Sequence, residues 1–188
     1  MLLFQYLKKI FIFIKYKKLL FRKVGKNCEY KFLNSIFHYP ENIELSDNVH
    51  IGDYADFCGR GGIFIGKGAI FAKYVSIYSS EHYFDGEDLR AIPFDNRIIL
   101  KPVKIGEYSW IGRGVIILSG VKIGKGVIIG AGSIVSKDIP DYAIAVGNPI
   151  EIKKYRNKEV FDSLYKKDIS VFEKLGHKKE LINESNPF

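Results

Sequence analysis

Between Ile105 and Ser136 an aliphatic side chain returns every six residues, at Ile105, Ile111, Ile117, Ile123, Ile129 and Val135. Glycine follows it at 106, 112, 124 and 130. A small or apolar residue stands four places on, at Ser109, Val115, Val121, Val127 and Ser133. This period matches neither the about 3.6 residues of an α-helical turn nor the alternation of one long strand. It requires short strands broken by a turn each time, with one aliphatic side chain per strand buried against its copies above and below. Fixed-period self-similarity marks a solenoid, and a hexapeptide period marks the β-helices among them.

Upstream the frame is looser. Val24, Tyr30 and Ile36 make a degenerate first coil, followed by Leu45, Ile51 and Phe57, then Ile65, Phe71 and Ile77. Extra residues interrupt it between 36 and 45, 57 and 65, and 77 and 105. These breaks lie whole three-strand turns apart, so a three-sided coil would put all of them on one corner. The longest, Tyr78 to Lys104, must project from the coil, and long loops on regular scaffolds tend to carry function. Past Val135 the repeat ends at Pro140, and Gly147-Asn148-Pro149 reads as a turn.

The flanks differ in character. Residues 1–23 carry Leu3, Leu7, Ile10 and Ile14 on one helical face and Lys8, Lys15, Lys18 and Arg22 on another. Ile10–Ile14, the longest wholly apolar run, is far short of the about 20 residues needed to span a bilayer. With no small-residue cleavage site behind it, a signal peptide is not expected. A basic amphipathic helix can lie on an anionic membrane surface or pack on its own coil, and both readings stay open. Residues 24–150 hold the repeats. Residues 151–188 read as a helical extension, with Val160, Leu164, Ile169, Phe172 and Leu175 at irregular helical spacing, capping the open end of the solenoid.

The 188 residues carry a net charge of +8, which favours anionic partners such as nucleotide phosphates, acidic sugars or lipid headgroups. Cys28 and Cys58 show no Cys-x-x-Cys spacing, as expected of reduced thiols in the cytoplasm. No phosphate-cradling loop or dinucleotide fingerprint is present. The aromatics sit mainly at coil-core or helix positions, so nucleic-acid binding is not expected.

Lys101 to Tyr155 resembles the C-terminal half of the bacterial hexapeptide-repeat acyltransferases, and more narrowly the maltose and galactoside O-acetyltransferase group. The resemblance rests on Pro102-Val103, Trp110-Ile111-Gly112, Gly130-Ala131-Gly132-Ser133, Lys137-Asp138-Ile139-Pro140 and Gly147-Asn148-Pro149. With the weaker upstream repeats it covers about 24–155. It implies an all-β solenoid, a left-handed parallel β-helix with three strands per turn, assembled as a homotrimer. It also implies an acetyl-CoA-dependent O-acetyltransferase with a sugar or glycoconjugate acceptor, as in surface-polysaccharide biosynthesis. Localisation would be cytoplasmic, at the inner face of the membrane if residues 1–23 bind there.

The same resemblance places the catalytic histidine just after the last coil before the long loop, which here is His82. A sugar hydroxyl needs a base that titrates near neutral pH, and histidine suits it. Glu81, Asp85, Glu87 and Asp88 are the nearby candidates to hold its second ring nitrogen. Position by position, Trp110, Arg113 and Ala131 fall beside the acetyl-CoA arm. Ser136, Lys137 and Lys154 fall towards its nucleotide end, where Glu151 replaces another basic contact. The family's asparagine on an earlier coil has no clean equivalent around Asp56-Phe57-Cys58. No metal is expected, because His38, His50 and His82 lack the close spacing of a zinc site. Two other readings stay in view: N-acetylation of a nucleotide-linked amino sugar, and a non-catalytic scaffold.

Overall fold

The computed structural model of the protein describes residues 21–167, and in them the chain winds into a β-solenoid of about six three-sided turns. One side stacks β1 (Lys23–Val24), β4 (Ile43–Leu45), β7 (Ile63–Ile65), β12 (Val103–Ile105) and β15 (Lys122–Ile123). The second stacks β2 (Glu29–Tyr30), β5 (His50–Ile51), β8 (Ile70–Phe71), β13 (Trp110–Ile111), β16 (Ile128–Ile129) and β18 (Ala143–Val146). The third stacks β3 (Ile36–His38), β6 (Asp56–Cys58), β9 (Ser76–Tyr78), β14 (Ile116–Ile117) and β17 (Ile134–Val135). Coil-to-coil pairing is parallel throughout these stacks.

The six-residue frame maps onto the core as expected. Ile105, Ile111, Ile117, Ile123, Ile129 and Val135 are all buried, and so are Ser109, Val115, Val121, Val127 and Ser133 one turn position later. The two serines survive inside because their hydroxyls donate to backbone carbonyls, Ser109 to Gly106 and Gly124, and Ser133 to Gly130. The first coil departs from the frame by one residue. Phe37, not Ile36, stacks in register on Phe57 and Ile77, while Ile36 points outward. A short 3-10 turn at Phe32–Asn34 absorbs the extra residue.

The repeat also runs one coil further than its sequence signal. Ile139 bridges to Ile123, and β18 pairs with β16. Pro140 therefore occupies the turn position held by Gly66, Gly106 and Gly124 in earlier coils. Those glycines donate their N–H groups to the next coil, Gly124 to the Ile139 carbonyl at 2.8 Å. At the last coil no further rung follows, so a residue without an N–H fits.

The extension past 150 opens with a strand instead of a helix. β19 (Glu151–Tyr155) turns back antiparallel along β18, and α1 (Lys158–Lys166) follows, its N-terminus capped by the Asn157 side chain on the Val160 N–H. α1 docks at the corner between the first and second sides, against Tyr108, Gly126 and Tyr142, and the rest of the extension lies outside the described residues. The buried anchor of α1 is Phe161, while Val160 and Leu164 face solvent. Gly126, in a left-handed turn conformation, makes room: a Cβ there would lie 2.7 Å from the Phe161 ring. Tyr165 donates to Glu107, and Tyr142 donates to Asp162. Among the described residues no helix is long and apolar enough to cross a membrane. The expected N-terminal helix lies almost wholly outside the described residues. Its last residue, Lys23, opens β1.

Candidate active site

The one long link, 79–102, leaves the coil at the corner from the third side to the first, and the shorter links 39–42, 59–62, 118–121 and 136–138 stack along the same corner. This edge carries the arm, whose root is narrower than the sequence spacing implies, since Tyr78 remains in β9 and Val103 and Lys104 belong to β12. Inside it, β10 (Ser80–His82) pairs antiparallel with β11 (Ile98–Leu100), with His82 opposite Ile98.

The arm is tied down at its root and knotted at its tip. Buried Ser79 donates to the Cys58 carbonyl at 2.7 Å and accepts from the Gly61 N–H at 2.9 Å, while its own carbonyl accepts from the Lys101 N–H. Glu81 pairs with Lys101 and accepts from Ser119 at 3.2 Å, so the strand bearing His82 is clasped to the next coil. The Lys101 ammonium holds the Glu81 carboxyl below the usual carboxylate range. At the tip, Arg97 forks onto Asp95 at 2.6 and 2.9 Å, reaches Asp88, and lies 4.0 Å over the Tyr83 ring. Those guanidinium bonds hold the Asp95 carboxyl at about 2. Asp95 is enclosed by its own loop, and the bonds from Arg97 outweigh the opposing effect of that enclosure.

His82 is exposed, with its imidazole stacked on Phe94 at 3.8 Å between centroids and 27° between planes. None of the nearby carboxylates orients it. Glu81 is committed to Lys101 and Ser119, Asp88 to Arg97 and Tyr83, and Asp85 and Glu87 make no described contact with the ring. Phe94 and the Glu81–Lys101–Ser119 clasp escape sequence reasoning because only the antiparallel pairing of the arm brings residues so far apart together.

The six residues aligned with a donor site divide between two edges. Trp110, on the outer face of the second side, shares a column with Ile128, Ile144 and Lys154, so Lys154 lies three strands, roughly 14 Å, away. Arg113 and Ala131 occupy the adjoining corner, between the second and third sides. Ala131 sits in a turn, not on a strand, and the Arg113 guanidinium lies 5.6 Å from the Tyr74 ring centre. Ser136 and Lys137 follow β17 onto the arm edge, two coils past the arm root. Lys137 is near enough to Glu151 to help lower that carboxyl, though Lys153 does most of it. No described contact joins His82 to any of the six, and all seven residues are exposed. Asp56 faces outward on the third side, in register with Ile36 and Ser76. Among the described residues no group of three His, Cys, Asp or Glu is placed to hold a metal ion.

Residues 102–137 match the family model described as bacterial transferase hexapeptide (six repeats). The chain is 37% identical over 150 residues to a galactoside O-acetyltransferase of Lactococcus lactis subsp. lactis (strain IL1403), covering 77% of this chain and 68% of that one. It is 31% identical over 173 residues to a dTDP-4-amino-4,6-dideoxy-D-glucose acyltransferase of Escherichia coli, covering 79% of this chain and 90% of that one. Among solved structures, a galactoside acetyltransferase in complex with coenzyme A superposes with a TM-score of 0.65 at 31% identity, over 74% of this chain and 67% of that one. The chain belongs to the hexapeptide-repeat acyltransferases.

Proposed function

We propose that the protein transfers an acetyl group from acetyl-CoA to a hydroxyl of a sugar or glycoconjugate, with His82 as general base. The single observation that carries this is the position of His82. It stands on the arm that leaves the solenoid between the third and fourth coils, held by a clasp to the very coil that leads into the donor-aligned turns. In the reaction His82 takes the acceptor hydroxyl proton as that oxygen bonds to the thioester carbonyl carbon. The same imidazole returns the proton to the CoA sulfur as the carbon–sulfur bond breaks, so no covalent enzyme intermediate is required. The Arg113 backbone would polarise the thioester oxygen. Gly130-Ala131-Gly132 would let the pantetheine arm lie close to the backbone. Lys137 and Lys154 would meet phosphate as point charges.

The split of these residues between two edges of one prism supports assembly as a homotrimer. Ligand sites bury most of what they bind, whereas the residues on each edge alone are exposed. The arm edge of one copy facing the Trp110–Arg113 edge of the next would enclose donor and acceptor together. A biosynthetic role in surface polysaccharide is part of this reading. A second reading, N-acylation of a nucleotide-linked amino sugar, is favoured by one observation: the Escherichia coli acyltransferase named for such a substrate aligns over 90% of its length. Thiol release from acetyl-CoA, measured across neutral sugars, amino sugars and nucleotide-linked sugars, separates the two by which acceptor is acylated and at which atom.

A further inference from the structure

Along the arm edge the cations fall on either side of His82. Lys137 lies two coils to one side of the arm root, and Arg60, in the 59–62 link, lies one coil to the other. Coils are about 4.8 Å apart, so by backbone position Arg60 is the nearer of the two to the arm root. The donor-aligned turns all lie on the Lys137 side. An acceptor approaching His82 opposite the thioester therefore comes from the side of Arg60.

Arg60 is held ready without being neutralised. One guanidinium nitrogen donates to the Tyr39 hydroxyl, and the group lies 4.6 Å over the Tyr39 ring. Its backbone carbonyl accepts from the Asn42 side chain at 3.3 Å. The next residue, Gly61, donates to Ser79 at the arm root, and a Cβ there would lie 1.9 Å from the Ser79 carbonyl, so the link packs against the arm root where no side chain would fit. Arg22 pairs with Glu44, Arg97 with Asp88 and Asp95, and Arg156 donates to the Gly126 carbonyl. Arg90 and Arg113 share with Arg60 the lack of an ion pair among the described residues, but Arg90 lies out on the arm loop and Arg113 at another corner, over the Tyr74 ring. Among the described residues Arg60 has no acidic partner. Arginine carries five donors in a planar fork suited to carboxylate or phosphate, and Arg60 is partly exposed to solvent.

We propose that Arg60 is the anion-recognising residue of the acceptor site, and that the acceptor carries an oxyanion, carboxylate or phosphate, beside the sugar that is acylated. This rests on the reading of His82 as the base and adds the charge of the acceptor to it. Charge-assisted hydrogen bonds make Arg60 a determinant of acceptor affinity, while the donor site on the opposite side is untouched by it.

The test compares wild type with Arg60→Gln on two matched pairs of acceptors: methyl glucuronide against methyl glucoside, and a nucleoside-diphosphate amino sugar against the free amino sugar. Wild type is expected to favour one anionic member over its neutral partner by about 10-fold or more in kcat/KM, with the preference collapsing in R60Q and KM for acetyl-CoA unchanged. The pair that shows the preference tells carboxylate from phosphate. Equal use of anionic and neutral acceptors, or a preference that survives in R60Q, overturns the role of Arg60 and leaves the transferase reading intact. Absence of transfer to every acceptor overturns the transferase reading instead. Calorimetric titration with the same four compounds then decides on Arg60: binding of an anionic one, lost in R60Q, upholds it, and no binding to wild type overturns it.

Discussion

The His82 imidazole lies on the Phe94 ring, 3.8 Å between centroids, twelve residues apart in sequence and joined only through the folded arm. A base on a strand end has two free torsions, and a flat neighbour removes much of that freedom. Where no carboxylate fixes the ring, Phe94 sets its plane. Phe94→Ala should lower kcat about 10-fold with KM for acetyl-CoA unchanged, and Phe94→Tyr should restore most of it. Steady-state kinetics on both variants checks this, together with the upfield ring-current shift of the His82 protons, which Ala should abolish.

Acid should act on the arm only well below neutrality. Asp95 has its folded-state value near 2, below its ordinary 3.8, so its contribution is in full force above about 3.8 and drains as pH falls through 2. Glu81 is also depressed from its ordinary 4.5, so the clasp is complete above that value and weakens as pH falls below it. Hydrogen-exchange protection of the β10–β11 amides, corrected for the intrinsic pH dependence of exchange, should therefore hold constant from about pH 8 down to about pH 5 and decay only under more acid conditions. Asp95→Asn should weaken it already at neutral pH.

The helix on the flank depends on one anchor. Phe161→Ala removes the only buried side chain of α1 and leaves Gly126 facing a void. Denaturant titration should show a loss of about 3 kcal/mol, whereas Val160→Ala, on the exposed face, should cost little.

The coil was legible in the sequence because its signal is local. Each buried aliphatic is six residues from its neighbours, and each break in the frame falls on the same corner, which is where the chain was found to depart. Three things were not legible. The first coil slips by one residue at Phe32–Asn34, since a 3-10 turn leaves no periodic mark. The final coil hides behind Pro140, which reads as a terminator although the last rung needs no N–H there. The anchor of α1 was hidden because Val160 and Leu164 sit four residues apart as an apolar pair, while the partner surface of Tyr108, Gly126 and Tyr142 selects Phe161. In the site, His82 could be read from its place after a coil. Its surroundings could not, because Phe94, Lys101 and Ser119 reach it only through tertiary pairing.

Assembly can be tested by complementation. Sedimentation should give a species near three times 21.5 kDa. Mixing His82→Ala chains with Trp110→Ala/Arg113→Ala chains should restore activity that neither has alone. Random mixing makes roughly a quarter of the sites whole, because each needs an intact arm edge from one copy and an intact donor edge from another. No recovery in verified mixed trimers would place both edges of a site on the same chain.

The central claim is that His82 moves the proton and the donor edges hold the thioester. Turnover of His82→Ala at saturating acetyl-CoA and acceptor, beside that of Lys137→Ala, tests it most directly. His82→Ala should keep its assembly, its melting temperature and its affinity for acetyl-CoA while kcat falls by about 10²–10⁴. Lys137→Ala should raise KM for acetyl-CoA and keep kcat near wild type. Wild-type kcat in His82→Ala, with any acceptor that the native protein acylates, would contradict the account.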